Sequence, residues 1–261
     1  MIGIRVDSNE EIAMGHLIRC MAIAEQLKEA PLFICSDSTT ESILKEAGYQ
    51  CVCLNNRYDE KNQEIEQVVM LVDEMKLGAL LVDSYMITEH YLRILHSKLP
   101  VAYIDDLNQF YYDVDVIINY TYKTKRQIYD KWDYLDTEFL LGSKYIPLRR
   151  QFAQKPISIG EVKQLFLTTG GTDGHHVIID LIKRLCNTDY IINIVLGKYY
   201  CDFDDLKQYI EGKKNIVVYR NVPEIAQIMK KSDIAISAGG TTLAELATLG
   251  IPTICFSMAD N

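Results

Sequence analysis

Apolar residues fall in short blocks along this chain, and amphipathic stretches separate them. Blocks rich in β-branched and aromatic residues at 2–6, 31–35, 50–53, 79–83, 101–104 and 115–118 predict strands. A second series follows at 163–168, 191–196, 215–219, 233–236 and 252–256. Between them, apolar positions recur at helical spacing over 16–29, 40–47, 62–76, 88–97, 174–186, 203–211, 223–231 and 241–249. Such alternation predicts an α/β protein with parallel sheets covered by helices on both faces. The two series are separated by 145–160, which holds Pro147, Pro156 and the polar run Arg149-Arg150-Gln151 and reads as a connector. The pattern therefore predicts two Rossmann-like domains, 1–150 and 157–261. Ligands would sit beyond the carboxyl ends of the strands, in a cleft between the two sheets.

Composition narrows the function. At 261 residues there is enough chain for two cores, and the net charge of -9 argues against a broad nucleic-acid or anionic-membrane surface. No apolar run approaches the roughly 18 residues of a membrane helix, and the first six residues are too short for a signal peptide. The seven cysteines are odd in number and scattered. Cys51 and Cys53 lack the spacing and partners of a zinc site, so no metal is expected and a reducing cytoplasm is.

The most informative stretch is Ser237-Ala238-Gly239-Gly240-Thr241-Thr242, between the apolar run 234–236 and a helical pattern that contains Glu245. Glycines on a strand-to-helix turn let backbone N–H groups approach an anion, and the helix start adds unpaired donors and about half a positive charge. That suits a phosphate or diphosphate, with Glu245 in reach of a neighbouring ribose. Gly170-Gly171-Thr172-Asp173 is a second such turn in the same domain. His175 and His176, just beyond it, read as exposed.

In the first domain, Asp7 follows a strand and Gly15-His16 opens a helix. A helix start disfavours the imidazolium, so His16 can serve as a neutral base; a surface or capping histidine fits equally. Asp7 can orient the imidazole, bind substrate or close a turn. Asp83 and Tyr85 stand at another strand end, where Asp83 can orient a catalytic group or cap the next helix and Tyr85 can meet a sugar. Asp105-Asp106 ends a further strand, but adjacent side chains on extended chain point apart, which disfavours a shared metal. The tyrosine-rich segment 110–134 reads as packing and surface, or as the rim of a cleft. Neither GxGxxG, GxxxxGK[ST] nor GxSxG occurs.

Taken in order, these pieces resemble the PseG family of UDP-sugar hydrolases and the related spore-coat polysaccharide biosynthesis proteins. The matching positions are Arg5-x-Asp7, Gly15-His16-x-x-Arg19, Asp83-x-Tyr85, Asp105-Asp106, Leu141-Gly142-x-x-Tyr145-x-Pro147-Leu148-Arg149, Gly170-Gly171-Thr172-Asp173 and Ser237-Ala238-Gly239-Gly240 with Glu245. The resemblance covers nearly the whole chain. It implies the GT-B architecture shared with MurG-type glycosyltransferases. It also implies hydrolysis of UDP-2,4-diacetamido-2,4,6-trideoxy-β-L-altropyranose to UDP and free sugar, a step of pseudaminic acid and surface polysaccharide biosynthesis. In that reading His16 is the base for water, Tyr85 lies by the sugar and the second domain holds UDP. No cofactor is required, and the partner is a small-molecule UDP-sugar on a monomer.

The sequence departs from the family at Ala13-Met14, where glycine is frequent, and at Ser143, where a second glycine is common. The family continues through an Asn-Gln pair that would begin at Asn261, so Asn261 is a further expected ligand and the second domain is expected to be incomplete. Two other readings stay open: a GT-B transferase that deprotonates an acceptor hydroxyl, and a nucleotide-sugar-binding module without catalysis.

Overall fold

The computed structural model describes residues 1–9, 12, 14–158, 160–220 and 222–257. Asn261 lies outside the described residues. The chain divides into two compact units, one of residues 1–12 and 16–147, the other of residues 13–15 and 148–261.

The first unit is built on β1 (Ile2–Val6), β2 (Leu32–Cys35), β3 (Gln50–Cys53), β4 (Ala79–Asp83), β5 (Val101–Ile104), β6 (Val116–Asn119) and β7 (Glu138–Leu141). They form one sheet in the order β3-β2-β1-β4-β5-β6-β7, all parallel. Its helices are α1 (Gly15–Ala24), α2 (Ser38–Glu46), α3 (Lys61–Glu74) and α4 (Glu89–His96). Strand order reverses between β1 and β4, and in an open α/β sheet that switch is where a crevice opens at the carboxyl ends. Side chains of α3, α4 and the tyrosine-rich segment pack with Ile34, Val82, Tyr103 and Ile117 into one core.

The second unit has β8 (Gln164–Thr168), β9 (Ile191–Leu196), β10 (Ile216–Arg220), β11 (Ile234–Ala238) and β12 (Thr253–Phe256), in the order β10-β9-β8-β11-β12, again parallel. Its helices are α5 (Val177–Leu185), α6 (Phe203–Ile210), α7 (Ile225–Met229) and α8 (Thr241–Thr248). Leu165 and Leu167 join one core, with Ile192 and Ile194, while Phe166 joins another with Val195 and Ala235. That alternation is what a sheet buried on both faces requires. The order reverses between β8 and β11, so the two glycine-rich turns flank the switch point of this sheet.

The expected α/β elements are all present, and β7 is an additional one. Three helices are shorter than their patterns by four residues. α1 ends at Ala24 instead of 29 because the chain tightens into i→i+3 bonds, Gln26 N to Ile23 O at 2.9 Å and Leu27 N to Ala24 O at 3.2 Å. α5 starts at Val177 instead of 174, behind a left-handed His176 (φ 54°). α7 covers only Ile225–Met229 of the expected 223–231.

Candidate active site

In the first unit four neighbouring strands deliver acidic and aromatic groups to one sheet edge: Asp7 after β1, Asp83 at the end of β4, Asp105 and Asp106 after β5, Tyr120 after β6. The β1–β4 ladder sets Val6 beside Asp83. His16 comes from the first turn of α1, so it and Asp83 straddle the switch point.

His16 Nδ1 lies 2.6 Å from Asp83 Oδ1, and both side chains are buried. An ionised carboxylate only accepts, so Nδ1 of His16 carries a proton toward Asp83. Burial opposes the charge on Asp83, yet the adjacent Arg19 guanidinium and His16 outweigh it and hold the carboxyl well below the usual range. Arg19 donates from Nε to Asp83 Oδ2 at 2.6 Å and from Nη2 to Oδ1 at 2.5 Å. Its Nη1 donates to Asp106 Oδ2 at 2.7 Å and to Tyr120 Oη at 2.6 Å. Cys20 Sγ completes the shell of Asp83 at 3.4 Å. Arg19 was expected to bind substrate; its donors instead tie two carboxylates and a phenol together behind the histidine.

Tyr85 meets His16 edge-on, with ring centroids 4.4 Å apart, and donates to Asp106 Oδ2 at 2.9 Å. Burial, then the nearby Asp106, pushes its phenol up, so it stays protonated. A small pocket of about 10 Å³ opens over this group, lined by Asp7, Ile12, His16, Tyr58, Tyr85 and Met86. Gly15 leaves open space where a side chain would stand. The arrangement can take a proton from a water or hydroxyl held in the pocket, with Asp83 stabilising the imidazolium that forms.

Arg5 and Asp7 belong to a different group. Arg5 is fully buried and donates to Glu64 from Nε and Nη2, each at 2.7 Å, and to Asp7 Oδ1 from Nη1 at 2.8 Å. Lys61 Nζ donates to Asp7 Oδ2 at 2.5 Å, and Tyr91 to Glu64 Oε1 at 2.9 Å. Two positive and two negative side chains thus neutralise one another between β1 and α3. Burial works against ionisation of Asp7, but Arg5 and Lys61 prevail and keep it well below the usual carboxylate range. Arg5, an expected substrate ligand, has no face left for one.

Asp105, another expected substrate ligand, is held by the tyrosine-rich segment. It is fully buried and accepts from Leu107 N, Asn108 N and Tyr112 Oη on Oδ1 and from Tyr129 Oη on Oδ2, at 2.5–2.9 Å. It ties down the tyrosine-rich segment, which is packing as expected, while Asp106 turns to Arg19 and Tyr85. Tyr145 sits in the short turn Ser143–Tyr145 with Lys144 Nζ 4.6 Å from its ring, outside the group around His16.

In the second unit the two glycine-rich turns differ. After β8, Gly170 N donates to Thr168 Oγ1 at 3.2 Å, and Asp173 accepts from Val177 N and Ile178 N at 2.9 and 3.0 Å. A carboxylate of this chain therefore already occupies the start of α5, so Asp173 is a cap instead of an expected ligand. Gly171 O accepts from Tyr199 N at 3.2 Å, and a methyl on Gly197 would stand 2.1 Å from Gly170 O. The first turn is thereby locked against the 197–199 loop, with half-buried Thr172 on it.

After β11 the strand runs on to Ala238, Ser237 is fully buried with Oγ turned to Ala238 O at 3.0 Å, and Gly239 N donates to Phe256 O at 3.0 Å. The sheet thus claims Ser237, Ala238 and Gly239, all expected ligands. Gly240, at φ 122° and exposed, then turns the chain into α8, whose start has no side-chain cap. Leu243 N donates back to Gly240 O at 3.1 Å, so the N–H groups and hydroxyls of Thr241 and Thr242 are the donors left for an anion. One turn on, Glu245 is buried, and Arg149 donates to its Oε1 from Nε at 2.9 Å and Nη2 at 2.7 Å. Burial raises the Glu245 carboxyl above its ordinary range, and Arg149 partly counters it.

Sequence reasoning missed Asp106 as the facing carboxylate, and Tyr120, Lys61 and Glu64 entirely. Tyr120 had a readable signal, its place one residue past a strand next to those bearing Asp83 and Asp105. Among the described residues no group of three or more His, Cys, Asp or Glu is placed to hold a metal ion, and no helix is long and apolar enough to cross a membrane.

Comparison with known proteins agrees with this architecture. Residues 165–260 match the glycosyltransferase family 28 C-terminal domain. An uncharacterized protein of Methanocaldococcus jannaschii is 26% identical over 97% of this chain, which spans only 54% of that relative. The spore coat polysaccharide biosynthesis protein SpsG of Bacillus subtilis is 24% identical over 100% of this chain and 78% of its own. A Helicobacter pylori protein named pseudaminic acid cytidylyltransferase and UDP-2,4-diacetamido-2,4,6-trideoxy-beta-L-altropyranose hydrolase is 26% identical over 70% of this chain and 34% of its own. Among solved structures, Acinetobacter baumannii MurG aligns with a TM-score of 0.63 at 12% identity, over 100% of this chain and 79% of MurG. These matches show that the chain is similar to SpsG- and PseG-like proteins and shares the GT-B fold seen in MurG.

Proposed function

We propose that this MurG-like GT-B protein is a metal-independent hydrolase that cleaves the anomeric C–O bond of a UDP-linked diacetamido-trideoxy sugar. The observation that carries the reading is the buried His16–Asp83 pair, which leaves Nε2 as a base beside a cavity. The named activity of the Helicobacter relative supports the substrate class. UDP-2,4-diacetamido-2,4,6-trideoxy-β-L-altropyranose is the substrate proposed, in surface polysaccharide biosynthesis in the cytoplasm.

Water attacks the anomeric carbon while His16 Nε2 takes its proton. The bond from that carbon to the β-phosphate oxygen breaks, and the electron pair leaves on UDP. The free sugar results with inverted configuration, and the imidazolium then gives its proton to solvent. UDP needs no proton to depart, so the second carboxylate of ordinary glycosidases is dispensable. The uncapped start of α8 supplies N–H donors for the charge that develops on the diphosphate.

Incubation with the UDP-sugar alone tests this. UDP and free sugar should appear without any acceptor, and oxygen from isotopically labelled water should enter the sugar and not UDP. Release that depends on an added acceptor would instead make the protein a transferase, the reading the family 28 domain favours. Label found in UDP would exclude attack at carbon.

A further inference from the structure

The pocket over His16 is small, and its walls are of two kinds. Its volume of about 10 Å³ is the room of a single water molecule. Asp7 and Asp83 contribute polar wall, but their oxygens are already engaged, those of Asp7 by Arg5, Lys61 and Ser36 and those of Asp83 by His16, Arg19 and Cys20. The rest of the wall includes Ile12, Tyr58 and Met86. The chain at Met86 is pinned from both sides. Its N–H donates to Ser84 Oγ at 3.2 Å, Ser84 O accepts from Tyr103 Oη at 3.2 Å, and Ile87, the next residue, is buried in the core. The thioether is thereby kept at the rim of the pocket, 40% exposed, one residue beyond Tyr85. The proton transfer to His16 makes no use of it.

We infer that Met86 is a specificity-determining residue: with Ile12 it restricts the nucleophile to a molecule the size of water and so keeps the protein a hydrolase. This rests on the hydrolase reading above and extends it to the choice of nucleophile. The attacking oxygen has to lie between His16 and the anomeric carbon, so the sugar covers it from the open side. Any carbon skeleton joined to that oxygen must then find its space within the pocket, and a volume fit for one water leaves none unless Met86 gives way. With a smaller side chain there, the same chemistry accepts an alcohol. The alcohol oxygen attacks the anomeric carbon, its proton passes to His16, the bond to the β-phosphate oxygen breaks, and the electron pair leaves on UDP. The product is a glycoside in place of the free sugar.

The test is the partition of products when the UDP-sugar is turned over in mixtures of water and methanol, with free sugar and methyl glycoside separated by chromatography. The ratio is taken within each sample, so a loss of folded protein or of turnover does not move it. One methyl group too many in a filled pocket sets an expected bias of about 10–200-fold against the glycoside, relative to the molar ratio of methanol to water. Met86→Ala and Met86→Gly should raise the share of glycoside about tenfold or more, and Ile12→Ala should move it in the same direction. Met86→Leu, of similar volume, should keep the bias. Ile12→Ala carries the test if the smaller Met86 variants fail to fold by circular dichroism. Methyl glycoside formed by the unaltered protein at the molar ratio of the two solvents overturns the inference, as does a bias left intact in every one of the smaller variants. Release of no UDP in water alone would refute the hydrolase reading itself.

Discussion

Asp83→Asn isolates the chemistry of the first unit. The carboxylate has four donors around it: His16 Nδ1, Arg19 Nε and Nη2, and Cys20 Sγ. A carboxamide offers one acceptor oxygen and two N–H groups in the same volume. If the oxygen stays with Arg19, the amide faces His16 and donates to Nδ1. The tautomer then reverses, Nε2 takes the proton, and the base is lost although the imidazole has not moved. The corresponding change in Ser-His-Asp enzymes lowers turnover by about 10⁴. Folding loses too, since a buried cation missing its partner costs about 3–5 kcal/mol. Arg19 retains Asp106 and Tyr120, so the lower figure applies, roughly 3 kcal/mol or about 6–12 °C in Tm. Turnover should be followed as UDP released from the UDP-sugar at pH 7, stability by circular dichroism, and UDP affinity by calorimetry. Turnover should collapse while UDP affinity stays within a few-fold. Hydrolysis within tenfold of the unaltered protein would refute the tautomer argument, and a parallel loss of UDP affinity would refute the separation of base and nucleotide site.

Two further outcomes follow from the same geometry. Asp105→Asn removes a carboxylate that accepts four bonds around the tyrosine-rich segment; it should lower stability by about 1–3 kcal/mol in a melt while UDP affinity stays unchanged. For Glu245, whose carboxyl is raised by burial, the accepting form is lost as pH falls through that raised value. UDP affinity should therefore decline toward acid pH from a higher pH than an exposed glutamate would give, and binding should release protons there; a flat profile in Glu245→Ala is the control.

Much of this was legible because parallel α/β sheets write themselves plainly: a buried strand is a short apolar block, and its functional end is the polar residue that follows. Asp7, Asp83 and the Gly240 turn stand at such strand ends. β7 escaped because Glu138–Leu141 is a four-residue strand at the sheet edge, preceded by an aromatic and acidic stretch that obscures its start. The choice between Asp105 and Asp106 turns on which face of the chain meets the core just past a strand, and spacing alone does not carry that. Asp173 and Ser237 looked like ligands because a cap and a ligand use the same residues at the same place. Which of them is spent inside the protein is settled only by where the N–H groups and hydroxyls point. Arg5 and Glu64, 59 residues apart, gave no local signal of their pairing.

The neutral quartet of Arg5, Asp7, Lys61 and Glu64 constrains how this sequence can drift. Each member balances the others, so a change at any one of the four strands an opposite charge in the interior, at about 3–5 kcal/mol. Exchanged together for apolar side chains of similar volume, such sets are often neutral or better for stability. The four positions are therefore expected to vary among descendants as a block or not at all, and a chain carrying three of them should be rarer than one carrying none.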